Sequence, residues 1–137
     1  GFIKKAGGTL TTSDLSLRSG NDYLTAYFVS MDGQPLASSA KILVQSGTIS
    51  RLTGWETIPA TFTAGKTTVQ GLEISHIGNP PWRIQETDLA FSLRNTKVTK
   101  ARVLDEDGRL KKDLPLQRQG AFANLQTPRD WTYLILE

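Results

Sequence analysis

The chain has 137 residues, a length that fits one domain and is large enough to bury a hydrophobic core without disulfide bonds. Apolar residues make up 38% of the sequence and are spread along it, which excludes a disordered chain. There is no cysteine, so a disulfide scaffold, a thiolate metal site and a cysteine nucleophile are excluded. The net charge is +3 and the most basic stretch, 97–112, is interrupted by acids at 105–107, so we expect no nucleic-acid partner. No apolar run approaches the roughly 20 residues of a membrane helix, so we expect no membrane partner.

Apolar and polar residues alternate with a period of two along the chain, and helical periodicity is absent. The predicted strands, in chain order, are 15–18, 23–31, 39–49, 58–63, 67–74, 82–93, 100–104, 109–116, 120–125 and 131–136. Turn residues separate them, among them Ala64-Gly65-Lys66 and Asp107-Gly108, while the prolines of Gly78-Asn79-Pro80-Pro81 indicate a loop or an edge strand. Strands about 8 to 12 residues apart predict an all-β, antiparallel β-sandwich, immunoglobulin-like or jelly-roll, with about nine or ten strands.

We expect one domain over residues 1–137, in which residues 1–20 combine a linker with a first strand. The chain starts with Gly1 rather than Met, so we expect an excised module or processed fragment of a longer protein, with any targeting signal upstream. We further expect a monomer.

Catalytic chemistry finds little support in the sequence. The single histidine, His76, has no nucleophile motif to serve, and a surface or turn position is the simpler interpretation. Glycoside hydrolysis needs two paired carboxylates, and Glu73 and Glu86 in predicted strands are not marked as a pair. We therefore expect no catalytic residue and no cofactor. Asp105-Glu106-Asp107 are candidate ligands for a structural Ca²⁺, with an ordinary acidic hairpin as the alternative.

The aromatic residues are the candidates for ligand binding, because an exposed aromatic plane can stack on the apolar C–H face of a sugar. Trp55 and Trp82 lie between predicted strands or next to the double proline, and they are the predicted stacking residues. The alternatives are that each tryptophan caps an end of the sandwich, or that Trp82 lies in an interface with a neighbouring domain. Polar neighbours that could contact sugar hydroxyls or an anionic group are Arg51, Arg83, Gln85 and Glu86.

The other large aromatics are expected to pack inside the fold. Alternation in Trp131-Thr132-Tyr133-Leu134-Ile135-Leu136 places Trp131, Tyr133 and Ile135 on one face, for which a core role is predicted. The same packing role is predicted for six more residues, namely Tyr23, Tyr27, Phe28, Phe62, Phe91 and Phe122.

Several short motifs carry a resemblance to a known class of domain. They are Ser30-Met31-Asp32-Gly33-Gln34-Pro35-Leu36, Lys41-Ile42-Leu43-Val44-Gln45-Ser46-Gly47-Thr48, Thr53-Gly54-Trp55, Pro80-Pro81-Trp82, Leu104-Asp105-Glu106-Asp107-Gly108 and Tyr133-Leu134-Ile135-Leu136-Glu137. With these segments the chain resembles the C-terminal β-sandwich accessory domains of large bacterial (β/α)8-barrel glycoside hydrolases, of agarase or porphyranase type.

The resemblance implies a secreted or cell-surface bacterial protein and a polysaccharide or oligosaccharide partner, with agar-type galactans as the first substrate to test. The expected function is a non-catalytic carbohydrate-binding module that targets a parent glycoside hydrolase to its polymer. The alternative is a structural β-sandwich that packs against the catalytic barrel of the same parent chain and stabilises it.

Overall fold

The computed structural model describes all residues from Gly1 to Glu137 and contains fourteen β-strands and no helix. It accordingly has no helix that is long and apolar enough to cross a membrane. The strands are β1 Thr9–Thr11, β2 Leu15–Ser19, β3 Thr25–Ser30, β4 Ile42–Gly47, β5 Ser50–Thr53, β6 Glu56–Ala64, β7 Thr67–His76, β8 Asn79–Ile84, β9 Leu89–Arg94, β10 Lys100–Leu104, β11 Leu110–Pro115, β12 Gln117–Gln119, β13 Phe122–Gln126 and β14 Tyr133–Leu136. The chain divides into two compact units, one made of Gly1–Thr48 with Glu86–Glu137 and the other of Ile49–Gln85.

The larger unit is a β-sandwich of two five-stranded antiparallel sheets, as the sequence predicts. Sheet I has the strand order β1-β2-β9-β13-β12, and sheet II has the order β11-β10-β14-β4-β3. Alternate residues of each sheet point inward, so that Leu89, Phe91 and Leu93 of β9 are buried and Ile42 and Val44 of β4 are buried. The edge of the Phe28 ring meets Phe91 with 5.2 Å between ring centroids, which joins the two sheets across the core.

Buried asparagines hold the loops of the sandwich. The side-chain amide of Asn95, only 1% exposed, donates to the carbonyls of Leu36 and Ser39, while its Oδ1 accepts the N–H groups of Lys97 and Val98. These four bonds satisfy the full capacity of a buried amide and fix two loops to each other.

A second asparagine anchors the chain where it re-enters the sandwich at Glu86. Asn21 is 4% exposed, donates to the Glu86 carbonyl at 2.9 Å and accepts the Asp88 N–H at 2.7 Å. The segment that begins β9 is therefore fixed before the strand starts.

The smaller unit, residues 49–85, is called here the hairpin unit. It consists of two separate two-stranded ladders, β5 with β8 and β6 with β7. The predicted turn at Ala64-Gly65-Lys66 is confirmed, because β6 ends at Ala64, β7 begins at Thr67 and Gly65 has φ of 62°. Both prolines of the predicted edge segment lie in β8, which has β5 as its only neighbour, and the Pro80–Pro81 peptide bond is cis.

The structure has fourteen strands, four more than the ten predicted from the sequence. β1, β5 and β12 have only three or four residues each, too short for alternation to stand out, and the predicted strand 82–93 is split into β8 and β9. Gln85 to Asp88 lie between those two strands and carry the polar groups that anchor the return to the sandwich.

Burial corrects the packing predicted for some aromatic residues. Tyr27, Phe62 and Phe122 are 59%, 45% and 41% exposed, so the prediction that they pack in the core is wrong. Tyr27 and Phe122 lie on the outer faces of strands whose inner faces pack in the core. Phe62 lies in the two-stranded β6–β7 ladder, which is not part of either five-stranded sheet.

Burial also settles the orientation of the last strand. Trp131 is 6% exposed and belongs to the core, as predicted. It precedes β14, however, and the core face of β14 carries Leu134 and Leu136, while Tyr133 and Ile135 occupy the outward positions. A period of two counted from Trp131 therefore gives the wrong face for the strand.

Candidate functional site

The outer face of sheet I carries a continuous row of hydroxyl and amide side chains. Register places one such residue of each strand directly beside the next, and from one edge of the sheet to the other they are Thr11, Ser16, Ser92, Asn124 and Gln117. We call these five residues the polar row. Strands about 4.8 Å apart make the row about 19 Å long.

Alternation in the strands explains why these side chains face outward. In β9 the residues on either side of Ser92, Phe91 and Leu93, are buried in the core, and in β13 Ala123 and Leu125 flank Asn124 in the same way. The inward residues fix the strands through packing, so the outward ones are presented on a rigid layer.

Four of the five residues of the polar row, all except Thr11, line a shallow groove of about 360 Å³. Besides members of the row, residues of the neighbouring register positions line this groove, namely Thr9, Arg18, Ala90 and Gln126. The groove is shallow and open to solvent, so a ligand can reach it without threading through a closed cavity.

The hydrogen-bonding capacity of the row is largely unused within the chain. Thr11 and Ser16 share one hydroxyl–hydroxyl bond of 3.2 Å, and the Asn124 amide donates to the backbone carbonyl of Gln117 at 3.3 Å. The Ser92 hydroxyl and the Gln117 side-chain amide make no hydrogen bond within the chain, and the Oδ1 atom of Asn124 accepts none. These groups can donate to and accept from a ligand that is rich in hydroxyls.

Two arginines lie on the same face, and only one of them is paired with a carboxylate. Arg94 is held by an ion pair with Asp14, which also accepts its Nε–H. Arg18 stands next to Ala90 in the register and has no carboxylate partner. The guanidinium of Arg18 is therefore available to a hydroxyl or to an anionic substituent of a ligand.

One aromatic residue borders the row. Phe122 is 41% exposed, faces outward beside Arg94, and lines a second shallow depression together with Ser92 and Gln119. Its ring offers an apolar plane at one side of the polar row, a position that the prediction of a packed Phe122 overlooked.

The hairpin unit contains most of the site residues predicted from the sequence. Trp82 is 64% exposed and lies opposite Leu52 in the β5–β8 ladder, while Arg51 lies opposite Arg83 on the other face. The guanidinium of Arg51 lies 4.8 Å from the centroid of the Trp55 ring, a cation–π contact. Alternation thus places Trp82 on the face opposite to the Arg51–Trp55 pair, and the two tryptophans do not form one flat platform.

Tight backbone contacts fix the region between the two tryptophans. The Thr53 hydroxyl donates to the Pro81 carbonyl at 2.8 Å, and Trp55 N–H donates to Leu52 at 3.1 Å. Gly78 has φ of 81°, and a Cβ atom there would lie 2.3 Å from the Thr53 carbonyl oxygen. Only glycine fits this position.

The remaining predicted residues lie on either side of the boundary between the units. Gln85 is exposed and its backbone N–H donates to Ile49 at 2.9 Å. Glu86 belongs to the sandwich, where its exposed carboxylate lies 3.8 Å from the guanidinium of Arg129. These two residues contribute no stacking group of their own.

The acidic side chains and the single histidine form no metal-binding cluster. No group of three or more His, Asp or Glu side chains is close enough to hold a metal ion. In the acidic turn, Asp105 Oδ1 accepts the N–H groups of Asp107 and Arg109, and the Asp107 carboxylate pairs with the Arg109 guanidinium. The acidic cluster therefore has a structural explanation as a turn, and His76 is an exposed strand residue opposite Glu56.

Two carboxylates have pKa values below the ordinary range, and both act in turns. The backbone N–H of Ala40, together with the hydroxyls of Ser30 and Ser39, strongly lowers the pKa of Asp32. A hydrogen bond from Lys111 lowers the pKa of Asp130. Hydrogen bonds to the charged form account for both shifts.

No protein-family model, no curated protein and no solved structure matches this chain. The polar row and the hairpin unit are therefore the features from which a function can be inferred.

Proposed function

We propose that this chain is a non-catalytic carbohydrate-binding module, which binds a polysaccharide along the polar row of sheet I. A parent glycoside hydrolase would be held on its polymer by this contact. The observation that carries the proposal is the unbroken row of hydroxyl and amide side chains that crosses all five strands of an otherwise rigid sheet.

The chemistry of the row suits a sugar chain better than it suits a protein or a nucleic acid. Sugar hydroxyls both donate and accept, and so do the hydroxyls of Ser16 and Ser92 and the amides of Asn124 and Gln117. A nucleic acid would require a stripe of cations, whereas the row itself is uncharged and Arg18 is the only unpaired cation beside it. Phe122 adds an apolar plane for the C–H face of a ring.

The affinity needed for this role is modest. A dissociation constant of about micromolar to millimolar suffices, because tethering to an enzyme on the same polymer raises the effective concentration of the ligand. Exposed hydrogen bonds contribute only about 0.5–1.5 kcal/mol each, which is consistent with weak binding shared over several sugar residues. Such a module would act outside the cell, where the polymer is found.

Affinity electrophoresis of the chain in native gels that contain agarose, a sulfated galactan or a neutral glucan tests this proposal. We expect a galactan to retard the chain, and the double variant Asn124→Ala/Gln117→Ala to migrate freely. The variants Trp82→Ala and Trp55→Ala separate the polar row from the sites predicted in the hairpin unit. Retardation that depends on Trp82 and not on Asn124 would move the binding site to the hairpin unit, and the absence of retardation by every polysaccharide would reject the proposal.

A second candidate function, packing against the catalytic domain of the parent chain, is favoured by the outer face of sheet II. Part of this face is apolar, because register aligns Val29, Leu43 and Ile135 in one row, which then continues into the Arg102–Asp113 ion pair at the other side of the sheet. Tyr27, Val29 and Leu110 on this face are 59%, 50% and 54% exposed. A domain that needs this face covered would be poorly soluble in isolation, and Val29→Lys would improve its solubility without changing its migration in polysaccharide gels.

A further inference from the structure

The β6–β7 ladder of the hairpin unit is a ribbon with two exposed faces and no second layer. Nine residue pairs join the two strands, and each strand has only one neighbour, so the outer edge of each is unpaired. A two-stranded hairpin of this kind is marginally stable by itself in water. The ribbon is therefore expected to find a partner surface.

The two faces of the ribbon differ in composition. One face carries Ile58, Ala60, Phe62, Val69 and Gly71, and we call it the apolar ribbon face. The opposite face carries most of the threonines toward the tip, where the Thr61 hydroxyl donates to Gln70 at 2.9 Å, and Pro59, Leu72 and Ile74 toward the base. Leu72 and Ile74 are 65% and 50% exposed, so both faces carry exposed apolar side chains, but only the apolar ribbon face carries them at the centre of the ribbon, where the other face has Thr61 and Gln70.

The apolar ribbon face is flat because of a glycine. The Phe62 ring lies over Gly71, so that a Cβ atom on Gly71 would be 3.0 Å from the Cε2 atom of the ring. Phe62 thus lies across the ribbon instead of projecting from it. Ile58, Phe62 and Val69 remain 49%, 45% and 52% exposed on this flat face.

The charges at the two ends of the ribbon are opposite, which favours a second copy of the same ribbon as its partner. Between Thr57 and Leu72 the only charged residue is Lys66, at the tip, while the base carries Glu73 on the apolar ribbon face and Glu56 at the start of β6. Two identical ribbons that pack face to face and antiparallel place each tip on the other's base. Each Lys66 then meets the partner's Glu73, and Phe62 of both copies lies near the two-fold axis. An isologous contact of this kind needs one self-complementary patch, which this face provides.

We propose that the apolar ribbon face mediates self-association of this chain into an antiparallel, two-fold dimer. This inference stands independently of glycan binding, and it departs from the monomer expected from the sequence. The contact area limits its strength, because a ribbon about 30 Å long and about 10 Å wide covers about 300 Å² on each copy. Stable interfaces bury about 800 Å² on each partner, so the dimer is expected to be weak and dependent on concentration.

Charge reversal tests the proposal on residues that are exposed and make no contribution to the core. Sedimentation equilibrium of the chain at protein concentrations from about 10 μM to about 1 mM would measure the dimerisation constant. We expect wild-type chain to dimerise within this range, and Lys66→Glu to weaken dimerisation by about tenfold at low salt, because each copy then brings two acids together. The double variant Lys66→Glu/Glu73→Lys restores opposite charges across the interface and should recover most of the wild-type constant.

Lys97→Glu provides the matched control, since it makes the same charge change at an exposed residue of the sandwich. Val69→Lys gives a second test, because it places a charge in the centre of the apolar ribbon face and should abolish dimerisation. Wild-type chain that stays monomeric at about 1 mM overturns the proposal and assigns the face to a different partner. A dimer that Lys66→Glu and Val69→Lys leave unchanged overturns it as well, because such a dimer uses another surface.

Discussion

Ser92 and Asn124 lie directly opposite each other on β9 and β13, with both side chains on the outer face of sheet I. Each is flanked along its own strand by buried apolar residues, so neither side chain can turn into the core. The pair forms the centre of the polar row, and Ser16 and Gln117 extend it to either side. Binding that uses the row must involve this pair.

Asn124→Ala should weaken polysaccharide binding by about twofold to tenfold, because it removes a hydrogen bond worth about 0.5–1.5 kcal/mol. Titration calorimetry with an oligosaccharide of the polymer that retards the chain would measure the change. Gln34→Ala removes an exposed amide from a turn and is the matched control, with no expected effect. An equal loss of affinity in both variants would point to a general effect and away from the polar row.

Asn95→Ala should destabilise the sandwich by about 3 kcal/mol or more, because it leaves two buried carbonyls and two N–H groups without partners. Urea denaturation followed by tryptophan fluorescence would measure the free energy of unfolding. Asn124→Ala, in which the lost amide is on the surface, should cost about 1 kcal/mol or less by comparison. A loss below about 1 kcal/mol in Asn95→Ala would show that water replaces the missing amide.

Gly78→Ala and Gly108→Ala form a matched pair at nearly equal φ, 81° and 79°. Both alanines carry the cost of a positive φ, about 1 kcal/mol, but a Cβ atom at residue 78 also meets the Thr53 carbonyl at 2.3 Å, whereas nothing lies within 4 Å at residue 108. Hydrogen exchange of the Trp55 amide, which donates to Leu52, should therefore accelerate in Gly78→Ala. The amide of Asp105, which donates to Arg109, is the corresponding probe for Gly108→Ala and should change less.

The hydrogen bonds of Asp32 should make the free energy of unfolding depend on pH in the acid range. The N–H groups of Ala40 and Gln34 and the Ser30 hydroxyl donate to its carboxylate, and they hold its pKa in the folded state below the ordinary value. Because the pKa of the folded state is the lower one, the stabilisation is fully present above the pKa of the unfolded chain, about 4, and is lost as the pH falls below it.

Asp32→Asn should therefore unfold with a free energy that depends less on pH below about 4 than that of the wild-type chain. Denaturation in urea at a series of pH values for both proteins would measure the difference. Parallel curves for the two proteins would contradict the assignment of this part of the acid sensitivity to Asp32.

Alternation in the sequence predicts the sandwich because buried residues of its strands recur every second position, as in Leu89, Phe91 and Leu93. The same pattern contains the outward residues Ser92 and Asn124, but only pairing across strands brings them into one row. Strand order is non-local, since β9 lies between β2 and β13, so no short window of sequence reveals it. The sequence signal available for the polar row was the number of polar residues at the outward positions of each predicted strand.

The burial of aromatic residues could be predicted from the sequence only in part. Trp131 and Phe91 are in the core as predicted, whereas Tyr27, Phe62 and Phe122 are exposed. Their types and local patterns are alike, and what differs is whether a second sheet covers that face. The β6–β7 ladder alternates like a core strand, but it belongs to the hairpin unit, in which each ladder has only two strands.

Chemical-shift mapping on ¹⁵N-labelled chain, titrated with oligosaccharides of agarose and of a sulfated galactan, would locate the sugar-binding face residue by residue. If the polar row binds the sugar, the side-chain amide signals of Asn124 and Gln117 and the backbone signals of Ser16 and Ser92 should shift together with one binding constant. The signals of the outer face of sheet II should stay in place. Shifts confined to Trp82 and its neighbours in the hairpin unit, or no shift anywhere with either ligand, would contradict binding by the polar row.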